Sequence, residues 1–223
     1  MGWEFRCFWE AGPGDAAAAA ALAAADGAEE RTDVYVHTGL DAVGAKLRGG
    51  TRVLEVKFRM AHSRGAEKLR KRKVDAPGLE VAGAAAAAAA VLREPQVIEG
   101  TDGGTAADAL ADAAARLGPD SAVLGSSVPA PLVKLAKTRR ACPVPEGTRS
   151  CLEVAHLAAS VSYDAGATWA PAGHWTSACV EGAKPPKLLE EADACLATLP
   201  DSGPPDVLGG YPAFVRHVAD KYR

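Results

Sequence analysis

Apolar and charged residues alternate through residues 43–60, and this alternation predicts two β-strands. The charged positions are Lys46 and Arg48 in the first strand and Glu55, Lys57 and Arg59 in the second. Side chains at alternate positions of a strand share one face, so each strand has an apolar face and a charged face. Gly49 and Gly50 lie between the two strands, and a Gly-Gly pair is typical of a hairpin turn.

The same alternation predicts further strands along the chain. They are Trp3–Glu10, 31–37, 68–74, 132–141, 151–163 and 175–181, with a loop at 164–174. Helices are predicted at 16–25, 188–199 and 211–222. Because about eight strands follow one another with few helices between them, we expect an α+β fold built on an eight-stranded antiparallel β-barrel.

Residues 75–130 have a different composition from the rest of the chain. They are rich in alanine, contain a helix candidate at 106–117, and end in a segment rich in serine, proline and glycine. Such sequence carries little packing information and is typical of a long connection. We therefore expect one domain over residues 1–223, with residues 75–130 as a partly helical insertion within it.

Charge and cysteine content restrict the functional class. The 223 residues carry a formal net charge of −3, which argues against general nucleic-acid binding. The five cysteines form no C-x-x-C pair, a usage typical of reduced, intracellular proteins. No leader or membrane-spanning stretch is recognisable, so we expect a soluble cytoplasmic protein without a membrane partner. Its oligomeric state does not follow from the sequence.

The charged strand faces allow two interpretations. An antiparallel sheet commonly buries one side only, so these faces could be solvated. If the strands close into a barrel, the ionic side chains instead converge on its interior. The converging cations would be Arg6, Lys46, Arg48, Lys57 and Arg59, with Arg70, Arg72, Lys137 and Arg139 as further candidates. The acids among them would be Glu4, Glu55, Glu153 and Glu181. Asp33 is open to either a turn-forming or a catalytic interpretation.

An interior of this composition suits phosphate chemistry. Arginine forks bind phosphate oxygens in pairs, and lysines add compact positive charge. Carboxylates beside them either neutralise the cations or hold Mg²⁺ or Mn²⁺ through oxygen ligands. A phosphorylated small molecule is therefore the expected ligand.

Several short motifs resemble those of the CYTH superfamily, the triphosphate tunnel metalloenzymes that include thiamine and inorganic triphosphatases. They lie within residues 3–74 and 132–223. The motifs are Trp3-Glu4-Phe5-Arg6, Asp33-Val34-Tyr35-Val36, Gly44-Ala45-Lys46-Leu47-Arg48, Leu54-Glu55-Val56-Lys57, Val161-Ser162-Tyr163-Asp164, Ala178-Cys179-Val180-Glu181 and Gly210-Tyr211-Pro212. The resemblance implies a tunnel-type barrel and a metal-dependent triphosphatase or phosphohydrolase.

The charge pattern and the resemblance together predict roles for individual residues. The phosphate-binding set would be Lys46, Arg48, Lys57 and Arg59, which the resemblance implies, with Arg6 and Arg139 added from the converging charges. The catalytic carboxylates would be Glu4, Glu55 and Glu181, of which Glu4 and Glu181 would hold the Mg²⁺ or Mn²⁺ ion. The family has two alternating acids in its first strand and a pair in a late strand, whereas this chain has Glu4 followed by Arg6, and Glu181 alone. Three hypotheses follow: a hydrolase, a phosphate-binding protein without catalysis, and an interaction protein with solvated basic faces.

Overall fold

Eight antiparallel β-strands close into a barrel in the computed structural model of the chain. The structure describes residues 3–11, 27–39, 42–49, 53–75, 79–80, 84, 130–182, 184–199 and 203–223. The barrel strands are β1 (Trp3–Glu10), β2 (Glu29–Val36), β3 (Val43–Arg48), β4 (Val53–Ser63), β5 (Ala66–Asp75), β6 (Leu132–Cys142), β7 (Cys151–Ser162) and β8 (Ala170–Gly182). The remaining elements are α1 (Lys187–Leu196), β9 (Val207–Leu208) and α2 (Tyr211–Lys221).

The strand pairing closes the sheet on itself. The strands follow the order β5-β4-β3-β2-β6-β7-β8-β1, and β1 also pairs with β5. β5 pairs with β1 only as far as Phe5, and the two-residue strand β9 pairs with the next part of β1, at Cys7 and Phe8. This topology confirms the predicted α+β fold and its eight-stranded antiparallel barrel, which is the fold that the resemblance implies.

Two features of the strand pattern differ from the prediction. β8 begins at Ala170 and not at Trp175, so the loop that precedes it is shorter than predicted. Pro171 and Gly173 are residue types that strands contain rarely, and β9 is too short to produce an alternating pattern. The pairing of β7 with β8 is irregular near this point, between Ala158 and Ser160.

Gly49 has a second role besides the predicted turn. β3 ends at the residue before it, and residues 50–52 of the turn lie outside the described residues. The amide of Gly49 donates to the carbonyl oxygen of Thr32 at 2.8 Å, and a Cβ atom at Gly49 would lie 1.9 Å from that oxygen. Glycine is therefore required for the close approach of this segment to β2.

One end of the barrel is filled by apolar side chains and closed by α2. Phe214 of α2 stacks on Phe8 of β1 with ring centroids 4.2 Å apart, and the edge of Trp175 meets it at 5.2 Å. Val215 and Val218, on the same helix face, are also buried in this cluster. The amphipathic helix predicted at 211–222 is thus present, and its apolar face is what closes this end.

α1 packs on the outer surface of the barrel. Leu188, Ala192 and Cys195 are fully buried there, against residues such as Trp9 and Val180. The helix is anchored by Glu191, whose carboxylate accepts a hydrogen bond from the Ser150 amide at 3.1 Å. The predicted helix at 188–199 is confirmed, although it ends at Leu196.

Part of the prediction lies outside the described residues. The helices at 16–25 and 106–117 belong to this part, so they and the insertion at 75–130 remain predictions.

Ala84 is buried in the same apolar cluster as Val56 and Phe58, on the outer side of the barrel. All five cysteines are described, and all are free. Among the described helices, none combines the length and apolar character needed to cross a bilayer.

We expect Phe214→Ala to lower the free energy of unfolding by about 3–5 kcal/mol, because it leaves a cavity where α2 closes the barrel. Phe214→Leu is the matched control and should cost clearly less, since most of the apolar volume is retained. Urea denaturation of the two variants measures the difference. Equal losses in both variants would contradict the packing role of this ring.

Candidate functional site

The charged residues of the hairpin face the barrel interior. Cross-strand partners share one face of a sheet, and Lys46 pairs with Glu55 while Glu4 pairs with Glu181. These side chains line a cavity of about 120 Å³, several times the space that one water molecule needs. The nine predicted site residues all line it: Glu4, Arg6, Lys46, Arg48, Glu55, Lys57, Arg59, Arg139 and Glu181. Lys46 and Glu55 are buried, which contradicts the interpretation of a solvated outer face.

β5 contributes different residues from those expected. Arg70 lies directly opposite Phe58, which belongs to the outer apolar cluster, and the backbone of Arg72 pairs with that of Val56. The interior is lined instead by Glu67, Leu69 and Lys71. The correction has a simple cause: residues 68–73 are charged at almost every position, so the sequence does not indicate which face is buried.

Asp33 is the central acid of the closed end of the cavity. It is fully buried, and its Oδ2 lies 3.1 Å from the Lys46 ammonium and 3.2 Å from that of Lys137. Arg31 Nε lies 3.2 Å from Oδ1. Burial raises the pKa of Asp33, but Lys137, Lys46 and Arg31 outweigh burial and hold it below its ordinary value. The sequence left this residue open; the structure makes it the counter-charge of three cations.

The two lysines beside Asp33 are buried strongly enough to change their protonation. Burial lowers the pKa of Lys137 to about 7. Burial and the neighbouring Lys137 charge lower the pKa of Lys46 to about 8. Lys137 donates to the Tyr35 hydroxyl at 2.6 Å and lies 3.8 Å from the ring centroid of Tyr211. The polar cavity and the apolar closed end therefore meet at these two tyrosines.

A second acidic group lies on β1 and β8. One potential ligand atom from each of Glu4, Cys179 and Glu181 lies within 4.8 Å of the others. Lys57 donates to Glu4 at 3.4 Å, and Arg6 lies 3.9 Å from its other oxygen. Burial raises the pKa of Glu4, but Arg6 and Lys57 lower it by more, so this carboxylate is ionised. Burial raises the pKa of the Cys179 thiol far above its ordinary value, so this sulfur is protonated and bonds to Glu181 at 3.7 Å.

Other cations of the cavity are paired with carboxylates, and Arg139 is paired with both Glu29 and Glu153. Arg48 lies 3.3 Å from Glu55, and Arg59 lies 2.9 Å from Glu67. Arg139 bonds to Glu29 at 2.6 Å. These three arginine side chains retain about a quarter of their exposure, unlike the buried lysines. They can therefore exchange a carboxylate for a ligand with little movement of the barrel.

The cavity carries an excess of positive charge. Among the described residues that line it, nine are basic and five are acidic. Even with Asp33 counted as a further acid, the cations outnumber the carboxylates. In a partly buried site such an excess attracts anions, and the arginine forks match the oxygens of phosphate.

Comparisons with known proteins give distant structural matches. A Hippeastrum protein, HpAC1, described as an adenylyl cyclase candidate with a dominant triphosphatase activity, is 14% identical, with 88% of this chain and 87% of that chain covered and a TM-score of 0.46. PH1819 from Pyrococcus horikoshii OT3 is 12% identical, with 96% and 98% covered and a TM-score of 0.42. A conserved hypothetical protein from Pyrococcus furiosus is 12% identical, with 92% and 96% covered and a TM-score of 0.36.

No protein family and no curated protein matches the sequence. The three TM-scores lie below 0.5, so the assignment of the fold depends on the strand pairing of this chain.

The affinity of the cavity for sulfate, whose charge is constant near neutral pH, should fall about tenfold or more between pH 6 and pH 9. A protonated lysine attracts the anion, and this attraction is lost as the pH rises through the pKa of Lys137, about 7, and of Lys46, about 8. Isothermal titration calorimetry at constant ionic strength measures the profile. Lys137→Met should remove most of the change in affinity at the lower end of this pH range, around pH 7. An unchanged profile in this variant would contradict the role of Lys137 in attracting the anion.

Proposed function

We propose that the barrel interior binds a triphosphate or another phosphorylated small molecule and supports its hydrolysis with the help of Mg²⁺ or Mn²⁺. The observation that carries the proposal is the excess of basic over acidic side chains around one enclosed cavity. Neighbouring cations repel one another, and at an effective dielectric constant of about 20 two unit charges about 7 Å apart cost roughly 2 kcal/mol. A bound polyanion would relieve this repulsion.

Binding of phosphate groups would be divided between two kinds of cation. Arg48, Arg59 and Arg139 retain partial exposure and would bind phosphate oxygens in pairs. Lys46, which is buried and bonded to Asp33, would supply positive charge from the closed end at pH values below its pKa of about 8. Lys57 would bind a phosphate oxygen while it keeps its contact with Glu4.

The donor set at Glu4 and Glu181 fits a hard divalent cation. It offers two carboxylates, and the third member, Cys179, is a protonated thiol and not a ligand for Mg²⁺. Mg²⁺ is commonly bound by one or two carboxylates together with phosphate oxygens and water. Such an ion, bound with the substrate, would neutralise phosphate charge and polarise the attacking water.

The chain's own residues would do the remaining work of hydrolysis. Water would attack the terminal phosphorus, the bond to the bridging oxygen would break, and the protons of the water would be shared between the two phosphate products and the solvent, giving phosphate and a shortened phosphate chain. Positioning and charge neutralisation provide most of the catalysis in such reactions. Glu55 is nearly inaccessible and lies within 3.5 Å of both Lys46 and Arg48, so its contribution would be to orient these cations.

The second candidate function is phosphate binding without catalysis. The observation that favours it is the presence of Arg6 and of a neutral Cys179 within the acidic group of β1 and β8. Neither side chain adds a carboxylate ligand, so a metal ion would depend on the substrate for most of its ligands.

Tripolyphosphate at about one hundred times its dissociation constant should stabilise the protein by about 2.7 kcal/mol in thermal or chemical unfolding. Lys57→Ala should weaken binding about tenfold, and rising salt should weaken it further. Lys134→Gln is the control, because Lys134 lies on the outer face over the Trp169 ring. If the wild-type protein is not stabilised at all, the cavity does not bind phosphates.

Glu4→Gln and Glu181→Gln should each reduce phosphate release from tripolyphosphate by at least about a hundredfold in Mg²⁺ or Mn²⁺, the scale of losing one electrostatic catalytic group. Both variants should still bind the ligand, since they remove negative charge from a cationic cavity. A wild-type protein that binds tripolyphosphate but releases no phosphate with either metal would establish the binding function and exclude the hydrolase.

A further inference from the structure

Arg6 occupies an unusual position for a guanidinium group. It lies on β1, and its side chain lines the cavity while remaining only 4% exposed. Its cross-strand partner on β8 is Cys179, and the neighbouring pair on the same face is Glu4 with Glu181. A permanent positive charge is therefore built into the wall of the cavity next to the carboxylates that would hold a metal ion.

The charge of Arg6 is only partly compensated. Its Nε lies 3.9 Å from Glu4, and its Nη1 lies 3.6 Å from Glu153. Both distances exceed those of hydrogen bonds, and neither nitrogen has a hydrogen-bond partner among the described residues. Buried donors without an acceptor are rare and unfavourable, so an acceptor from outside the described part of the chain is expected at these two nitrogens.

Two neighbours keep Arg6 available for such an acceptor. The Tyr211 ring lies 4.8 Å below the guanidinium carbon, which restrains the plane of the group without consuming a donor. The residue directly opposite Arg6 on β8 is Cys179, so this cross-strand position adds no carboxylate partner for the guanidinium. The two residues thus leave a restrained cation in the wall of the cavity, with two N–H groups that have no acceptor among the described residues.

We propose that Arg6 binds a phosphate group of the ligand directly and takes the place of a metal ion in holding it, so that the cavity binds phosphates without a divalent cation. This inference depends on the proposed phosphate-binding function and deepens it. It concerns binding only, since the ion at Glu4 and Glu181 would serve hydrolysis. A restrained guanidinium offers a positive charge and two N–H donors, and phosphate oxygens accept hydrogen bonds from such donors. It can do so without a metal ion being bound first.

Calorimetric titration of the full chain with tripolyphosphate, in EDTA and in Mg²⁺, tests the inference. The dissociation constants should agree within about threefold, because a threefold ratio corresponds to less than the energy of one hydrogen bond. Binding that appears only in Mg²⁺ would overturn the role of Arg6 and leave the proposed function intact. The absence of binding in both conditions would overturn the proposed function itself.

Variants separate Arg6 from the other cations. Arg6→Gln should weaken binding in EDTA at least about tenfold, and Arg6→Lys should recover part of the loss. Lys134→Gln removes a cation from the outer face and should change nothing. Equal affinity of Arg6→Gln and wild type would contradict the inference.

A second experiment does not depend on the stability of Arg6→Gln. In the double variant Arg6→Glu with Cys179→Glu, two carboxylates join Glu4 and Glu181 on the same face, so the protein should bind Mn²⁺ in the absence of phosphate. Titration with Mn²⁺ alone should show at least about a tenfold gain in affinity over wild type. If wild type binds Mn²⁺ as tightly as the double variant, Arg6 does not stand in for a metal ion.

Discussion

The structure depends on the pairing of charges inside a closed barrel. A buried lysine or arginine is tolerated only when carboxylates or a bound anion compensate it, and removal of one partner of a buried pair typically costs about 3–5 kcal/mol. Asp33 meets this requirement for Lys46, Lys137 and Arg31 at once. Because the acids of the cavity are fewer than its cations, the same pairing that stabilises the fold leaves an uncompensated positive charge for a ligand.

The closure of one barrel end explains the strength of this electrostatic environment. Phe214 and its neighbours on α2 exclude water from that end, and Tyr211 brings the apolar layer up to the first cations. The low dielectric medium beneath Lys137 is what lowers its pKa, and it also strengthens every attraction to an anion above it. The apolar end and the lowered pKa of Lys137 are therefore two consequences of one helix position.

The two non-acidic positions beside Glu4 and Glu181 are coupled in space. Arg6 and Cys179 lie far apart in sequence, yet they are direct cross-strand partners on β1 and β8. A carboxylate at position 179 would pair with Arg6 and compete with a phosphate for it, and a carboxylate at position 6 would replace the cation itself. With neither position acidic, the cavity keeps its excess of basic over acidic side chains, which the proposed direct binding of phosphate by Arg6 requires. The remaining acids, Glu4 and Glu181, lie beside this pair on the same face.

The sequence by itself determined the strands and most of the charged faces, because alternation with a period of two records which side chains share a surface. It did not determine the interior face of β5, where nearly every residue is charged, or the start of β8, where Pro171 and Gly173 obscure the pattern. The role of Asp33 and the meeting of Arg6 with Cys179 were decided only by tertiary structure. Register between distant strands brings these residues together, and no local pattern encodes that register.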